Sequence, residues 1–259
     1  MSIIHIIILS IVEGITEFLS ISSTAHIDIV RVLLGIQSTD FIKSFEIIIQ
    51  LGAICAVVVL YWKKVFKSFV YIRNVIIAFI PTGIMGFLLY KIIKTFLISN
   101  TIISAVMLIL GGIIIIIFER KYTKEINSQE ISIENLPIKK LLALGVAQSF
   151  AVVPGVSRSG AVIIGGRALG LPKNLITEFS FVLAVPTMLA AVLYDILKSG
   201  LSFSGSEWGD IALGFVLSFI VALILIKWLL SYIKRHSFEN FGWYRIVIGA
   251  IIIIFFGIF

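Results

Sequence analysis

Residues Glu13 to His26 read E-G-I-T-E-F-L-S-I-S-S-T-A-H, inside a run from Met1 to Leu34 that is otherwise mostly Ile, Leu and Val. So apolar a run points to burial in a membrane. Glu13 and Glu17 are four residues apart and share one face of a helix, about one turn from each other. Like charges at that spacing mildly destabilise a helix, and each carboxylate at bilayer depth costs about 2.5–3.5 kcal/mol on insertion scales. A hydroxyl cluster (Ser20, Ser22, Ser23, Thr24) and the imidazole of His26 follow directly. These groups require a cation, a water-filled cavity, or both.

The whole chain shares this character. Its 259 residues are 59% hydrophobic and 14% charged, against about 45–50% apolar and about 25% charged in soluble domains. The composition excludes a soluble globular domain and specifies a polytopic membrane protein. The N-terminal run has no basic flank and no small-residue cleavage pattern, so it reads as retained structure and not as a signal peptide. The single cysteine, Cys55, rules out an intramolecular disulfide. The net charge of +7 sits in loops between apolar spans, which fits cytoplasmic loops and not a nucleic-acid partner.

A spanning helix needs about 20 apolar residues. Six segments qualify, roughly Phe45–Trp62, Asn74–Tyr90, Thr101–Phe118, Leu175–Leu197, Asp210–Leu230 and Trp243–Phe259. Two further apolar regions are interrupted: Met1–Leu34 at Ser20–Ser23, and Leu141–Leu169 at Pro154, Gly155 and Gly160. Their short halves suit re-entrant hairpins, which are tolerated at membrane depth only where protein or a water-filled cavity surrounds them.

Loop charges give an orientation. Lys63, Lys64, Lys67 and Arg73 follow the first span, Arg120, Lys121, Lys124, Lys139 and Lys140 the third, and Lys234 and Arg235 the fifth. The opposite loops hold fewer basic residues, Lys91 and Lys94, then Lys198. By the positive-inside rule the three basic loops are cytoplasmic and both termini face outward, provided each broken segment returns to the side it entered from.

A broken hairpin followed by three spans occurs twice. Three is odd, so the second copy is inverted. A shift of 135 residues places Gln148 on Glu13, Ser157 on Ser22, Arg158 on Ser23 and Ser159 on Thr24. The expected fold class is therefore an all-α polytopic membrane protein with an inverted-topology repeat, about six transmembrane helices and two re-entrant helical hairpins. It forms a single membrane domain: repeat one 1–118, a cytoplasmic linker 119–137, and inverted repeat two 138–259. Inverted repeats bring discontinuous helices together near the midplane, so the two polar clusters are expected to form one site.

The second cluster, Ala151 to Gly160, reads A-V-V-P-G-V-S-R-S-G. Glycines at Gly155 and Gly160 let the backbone turn and offer N–H groups, and a following helix adds its positive end. Arg158 supplies a planar fork for phosphate oxygens, or else it merely neutralises Glu13 or Glu17 as a buried pair. Carboxylates with phosphate oxygens suit Mg2+ or Ca2+. Ser23 and His26 are three residues apart, within reach as nucleophile and base. The plainer alternatives are helix capping for Ser22 and Ser23 and a backbone-bonded core histidine for His26. Gln50, Gln148 and Glu178 read as network supports, and Pro81 and Pro186 as kinks.

At these residues the chain resembles the undecaprenyl-diphosphate phosphatase family, the bacitracin-resistance type of integral membrane phosphatase. The matches are V-E-G-I-T-E-F-L (Val12 to Leu19), S-S-T-A-H (Ser22 to His26) and P-G-V-S-R-S-G (Pro154 to Gly160). Phe45 to Ala53, Glu178 to Pro186 and Tyr244-Arg245-Ile246 add to them. The resemblance implies release of the terminal phosphate from undecaprenyl diphosphate, recycling a lipid carrier for cell-wall synthesis. It also implies a divalent-cation requirement, with Glu13 and Glu17 as metal ligands or catalytic acids. Ser157, Arg158 and Ser159 would hold the diphosphate together with Ser22, Thr24, Gly155 and Gly160. Ser23 matches the family's proposed nucleophile, and attack by water is the alternative. Ser20 replaces a usual proline, Ala25 a usual glycine, and Val162 a common threonine.

The expected partners are a polyprenyl diphosphate lipid and the bilayer, with no nucleic acid, and a homodimer is compatible with the fold. The expected place is the bacterial plasma membrane, with the site open to the outer face. A lipid-phosphate transporter or flippase is the rival, since inverted repeats with broken helices are also a transporter architecture.

Overall fold

The structure is a computed structural model that describes residues 1–92, 101–122, 131–199 and 203–257. The first half contains α1 (Ile3–Thr16), α2 (Ser23–Leu33), α3 (Asp40–Phe66), α4 (Phe69–Ile92) and α5 (Thr101–Lys121). The second contains α6 (Ile138–Ser149), α7 (Arg158–Ala168), α8 (Lys173–Ser199), α9 (Gly205–Ile233) and α10 (Glu239–Gly257). Each half runs short, short, long, long, long, and no strand occurs among the described residues.

The six expected spans are α3, α4, α5, α8, α9 and α10. Most run beyond their apolar stretch because polar caps start them early. Thr39 accepts a hydrogen bond from the Ile42 amide at 3.2 Å and opens α3 at Asp40. A reciprocal Ser204–Glu207 capping box opens α9 at Gly205. Among the described residues, α3, α4, α5, α8 and α9 are long and apolar enough to cross a membrane, and α10 lies along α5. Large apolar side chains face outward along these helices, Phe87 at 73% and Ile224 at 66% exposure. Lipid is the solvent for such a surface.

The two interrupted regions are helical hairpins. At about 1.5 Å per residue, α1, α2, α6 and α7 measure about 16–21 Å, short of a hydrocarbon core of about 30 Å. Within each hairpin the two short helices pack on each other.

The halves are interleaved. Met1 lies against Asp210 at 3.3 Å and Gly14 against Ser218 and Val221, so α1 runs parallel to α9. In the exchanged pair, Asn74 donates to the Ile133 carbonyl at 2.8 Å and Thr82 to that of Gly145 at 3.0 Å, so α6 runs parallel to α4. Likewise α3 packs on α9 and α8 on α4. The fifth helices pair with each other: Gly112 meets Gly242 and Ile246, while Gly249 meets Ala105 and Ile109. Residue numbers rise on α5 as they fall on α10, so these equivalent helices are antiparallel. The rotation relating the halves is therefore about an axis across the helices, and the second half is inverted.

The basic groups gather at one end. There the end of α3 meets the start of α8 (Lys64–Glu178, 2.5 Å), and the end of α5 meets the start of α10 (Arg120–Glu239, 2.6 Å). Lys173 reaches the His236 carbonyl and Lys140 that of Leu169, both at 3.0 Å. Lys94 and Lys124 lie outside the described residues, as do residues 123–130 of the expected linker.

Candidate active site

The first hairpin turns through Glu17 to Ser22, with Ser20 at φ +62° and Ser22 at φ +70°. The second turns through Phe150 to Ser157, with Gly155 at φ +87°. A side chain at Gly155 would run into the Ser104 carbonyl of α5, so only glycine suits both its backbone and its surroundings. The two outgoing helices start at Ser23 and Arg158, which keeps the offset of 135 between the repeats. Ser22 and Ser157 are the matching N-caps. Ser157 accepts from the Gly160 amide at 3.2 Å, whereas the Ser22 side chain makes no capping bond.

The turns meet deep inside the molecule. Arg158 Nη2 donates to Glu17 Oε1 at 2.5 Å, and Ser23 Oγ donates to Glu17 Oε2. The hydroxyls of Ser20, Ser159 and Ser157 form a chain with steps of 3.2 Å. Glu17, Ser20, Ser22, Ser23, His26, Ser157 and Ser159 are all buried, and the Arg158 side chain is 11% exposed. Ser23 and Arg158 open α2 and α7, so the positive ends of two helices lie at this cluster.

Glu13 is fully buried, and no donor among the described residues reaches either of its carboxylate oxygens. Arg158 Nη1 is likewise buried without a partner among the described residues. So Glu17 is the neutralised acid of the pair, Glu13 is the open one, and the arginine keeps a free donor. Orphaned carboxylate oxygens next to a second carboxylate are a fitting donor set for a hard divalent cation. Among the described residues no cluster of three or more His, Cys, Asp or Glu occurs, so remaining ligands would be substrate oxygens or water.

His26 holds a different position from the one its spacing suggested. Its Nδ1 lies 2.8 Å from the Ser22 carbonyl and its Nε2 3.0 Å from the Tyr244 hydroxyl. In the neutral ring the carbonyl requires the proton on Nδ1, leaving Nε2 to accept from Tyr244. The Ser23 hydroxyl is held by Glu17 and not by this imidazole.

Other expected residues lie outside the cluster. Thr24 is exposed. Glu178 pairs with Lys64 at the basic end. Gln50 is half-buried on α3. Gln148, the counterpart of Glu13, is fully buried and donates to Thr82 and Thr187 at 2.9 and 3.0 Å, each the residue after a helix-interior proline.

One residue is more central than its sequence position suggests. Arg245 on α10 is 2% exposed and donates to the carbonyls of Ser20, Gly155, Leu108 and Met107 at 2.8–3.2 Å. It ties both hairpin turns to α5. An arginine in the apolar run after Trp243 was the available signal, since an intramembrane charge demands a partner.

Known proteins resemble this chain over nearly its full length. The family model for bacitracin resistance protein BacA matches residues 6–251. The undecaprenyl-diphosphatase of Aquifex aeolicus (strain VF5) is 52% identical over 250 residues, covering 96% of this chain and 97% of that protein. That of Sulfurihydrogenibium sp. (strain YO3AOP1) is 51% identical, covering 97% and 98%. That of Methanococcus aeolicus is 43% identical, covering 99% of both chains. A match of this length and identity, spanning both hairpins, places the chain in the bacitracin resistance protein BacA family.

Proposed function

We propose that this protein hydrolyses undecaprenyl diphosphate to undecaprenyl phosphate and inorganic phosphate. The observation that carries the chemistry is the Ser23–Glu17–Arg158 chain: a hydroxyl bonded to a carboxylate, which is paired with an arginine that retains a free Nη1 donor. A phosphoryl group entering between the N-termini of α2 and α7 takes up that free donor and the backbone amides. Ser23 Oγ attacks the terminal phosphorus and passes its proton to Glu17. The bond from phosphorus to the bridging oxygen breaks, and undecaprenyl phosphate leaves. Water then cleaves the phosphoserine and releases phosphate. Arg158 and the helix ends stabilise the charge that builds on the phosphoryl oxygens.

Glu13 and Glu17 would hold a divalent cation, Mg2+ or Ca2+. Such an ion would supply Lewis-acid neutralisation of the diphosphate oxygens. Ser157 and Ser159 orient the phosphate from the other hairpin. The basic end is cytoplasmic by the positive-inside rule, so α1 enters from the outer face of the plasma membrane and substrate reaches Ser23 from that side. A phosphatase of lipid diphosphates in this position recycles the carrier of cell-wall precursors. The relatives, named as phosphatases, give no support to the transporter alternative.

Phosphate release from undecaprenyl diphosphate by the purified protein is the direct test. Release is expected to vanish with a chelator and return with Mg2+ or Ca2+. Glu17→Gln and Arg158→Ala are expected to lower turnover by at least about 10²–10³-fold, the effect of removing one charge-stabilising group. Full activity in either variant refutes the site. A Ser23→Ala variant that loses only a few-fold assigns the attack to water.

A further inference from the structure

At the basic end, opposite Met1, the ends of α5, α7 and α9 and the starts of α8 and α10 enclose a cleft of about 250 Å3. Arg120, Arg167, Lys173, Lys234 and Arg235 line it, against two carboxylates, Glu119 and Glu239. Arg120 is paired with Glu239, and Lys173 is held by the His236 carbonyl. The positive-inside rule accounts for exposed cations such as Lys234 and Arg235. It does not account for Arg167, which is 7% exposed. One of its nitrogens, Nη2, donates to the Tyr122 carbonyl, while Nη1 is buried with no partner among the described residues. A guanidinium left partly unsatisfied out of water is destabilising unless an anion completes it.

We propose that this cleft is a second phosphate-binding site, with Arg167 as its buried anchor and Lys234 and Arg235 as its rim. The ligand carries a phosphate group, either on a lipid headgroup or as the free ion. The guanidinium fork matches phosphate oxygens. The volume lies just below the range of about 300–1,000 Å3 for drug-sized ligands, so it suits a headgroup or a small ion. The cleft is distinct from the catalytic cluster. Arg167 is nine residues beyond Arg158 on α7, about 14 Å along the helix axis. Between them lies a cavity of about 20 Å3, lined by Ser20, Gly160, Ile163 and Arg167 among others, with room for about one water. A phosphate cannot pass through so small a space.

Native mass spectrometry of the full-length protein tests this, with phosphatidic acid as the phosphate monoester probe and phosphatidylcholine as the zwitterionic control. The wild type is expected to retain phosphatidic acid preferentially. Lys234→Ser/Arg235→Ser is expected to weaken that retention about tenfold, and Arg167→Gln at least as much. Lys63→Ser/Lys67→Ser, which removes two exposed charges from the same end outside the cleft, is expected to leave it unchanged. Displacement by inorganic phosphate identifies the free ion as a ligand, and retention in its presence identifies the lipid headgroup; both support the site. Wild-type retention by the Lys234/Arg235 variant overturns it, as does an equal loss in the Lys63/Lys67 variant. Should Arg167→Gln fail to fold, the rim variant decides. Hydrolysis is read separately: its absence from the wild type would refute the phosphatase and leave this site standing.

Discussion

At φ +62°, Ser20 occupies backbone space closed to proline, whose ring fixes φ near −65°. Both the backbone and the side chain of this serine are used in the turn. The Ser20 carbonyl accepts from Arg245 and its hydroxyl meets Ser159. Ser20→Pro is expected to lower stability by about 1–3 kcal/mol, read as a fall in melting temperature, whereas Ser20→Gly folds at least as well as the wild type. A proline variant as stable and active as the parent would show that the left-handed turn is dispensable. Tyr244 acts at the same scale, by holding His26 Nε2. Tyr244→Phe removes one hydrogen bond worth about 0.5–1.5 kcal/mol. Turnover is expected to fall about two- to tenfold, with a changed pH profile that a purely structural loss would not give.

Among the elements, the long helices were legible as soon as apolar length was counted, because lipid rewards that property directly. Their ends were not, since Thr39 and the Ser204–Glu207 box extend α3 and α9 through polar residues that hydropathy discounts. The hairpins were legible as interruptions, and the offset of 135 that matches their polar clusters recurs in the starts of α2 and α7. The pairing inside the site was only half legible. Spacing joins Ser23 to His26, yet the turn between α1 and α2 swings the hydroxyl onto Glu17, a tertiary outcome that no helical periodicity contains. Thr24 and Glu178 fell outside for the same reason: sequence proximity and apolar surroundings do not fix the direction of a side chain. Gly155→Ala tests the second turn as an element. A methyl at φ +87° against the Ser104 carbonyl is expected to cost about 1–3 kcal/mol and to displace Arg158, so both the melting temperature and phosphate release should fall.

Over the whole molecule, the inverted halves divide the work by charge. The first contributes Glu13, Glu17 and Ser23, the second Arg158 and its serines, and α10 binds both turns through Arg245. Arg245→Ala is expected to leave four buried carbonyls without this donor and to destabilise by at least about 3 kcal/mol. Lys at the same position, a point charge without the fork, should recover only part. The clamp by Arg245 has a further consequence for biogenesis. During synthesis the acidic hairpin emerges long before Arg158 exists, and Arg245, which fastens the two turns together, follows Glu17 by 228 residues (245 − 17). Glu13 and Glu17 must therefore wait at the insertion machinery, or in contact with water, until α10 arrives. A ribosome-bound chain stopped before Glu239 should label faster at Ser23 with a water-borne hydroxyl-reactive probe than the finished protein, in which this serine is buried.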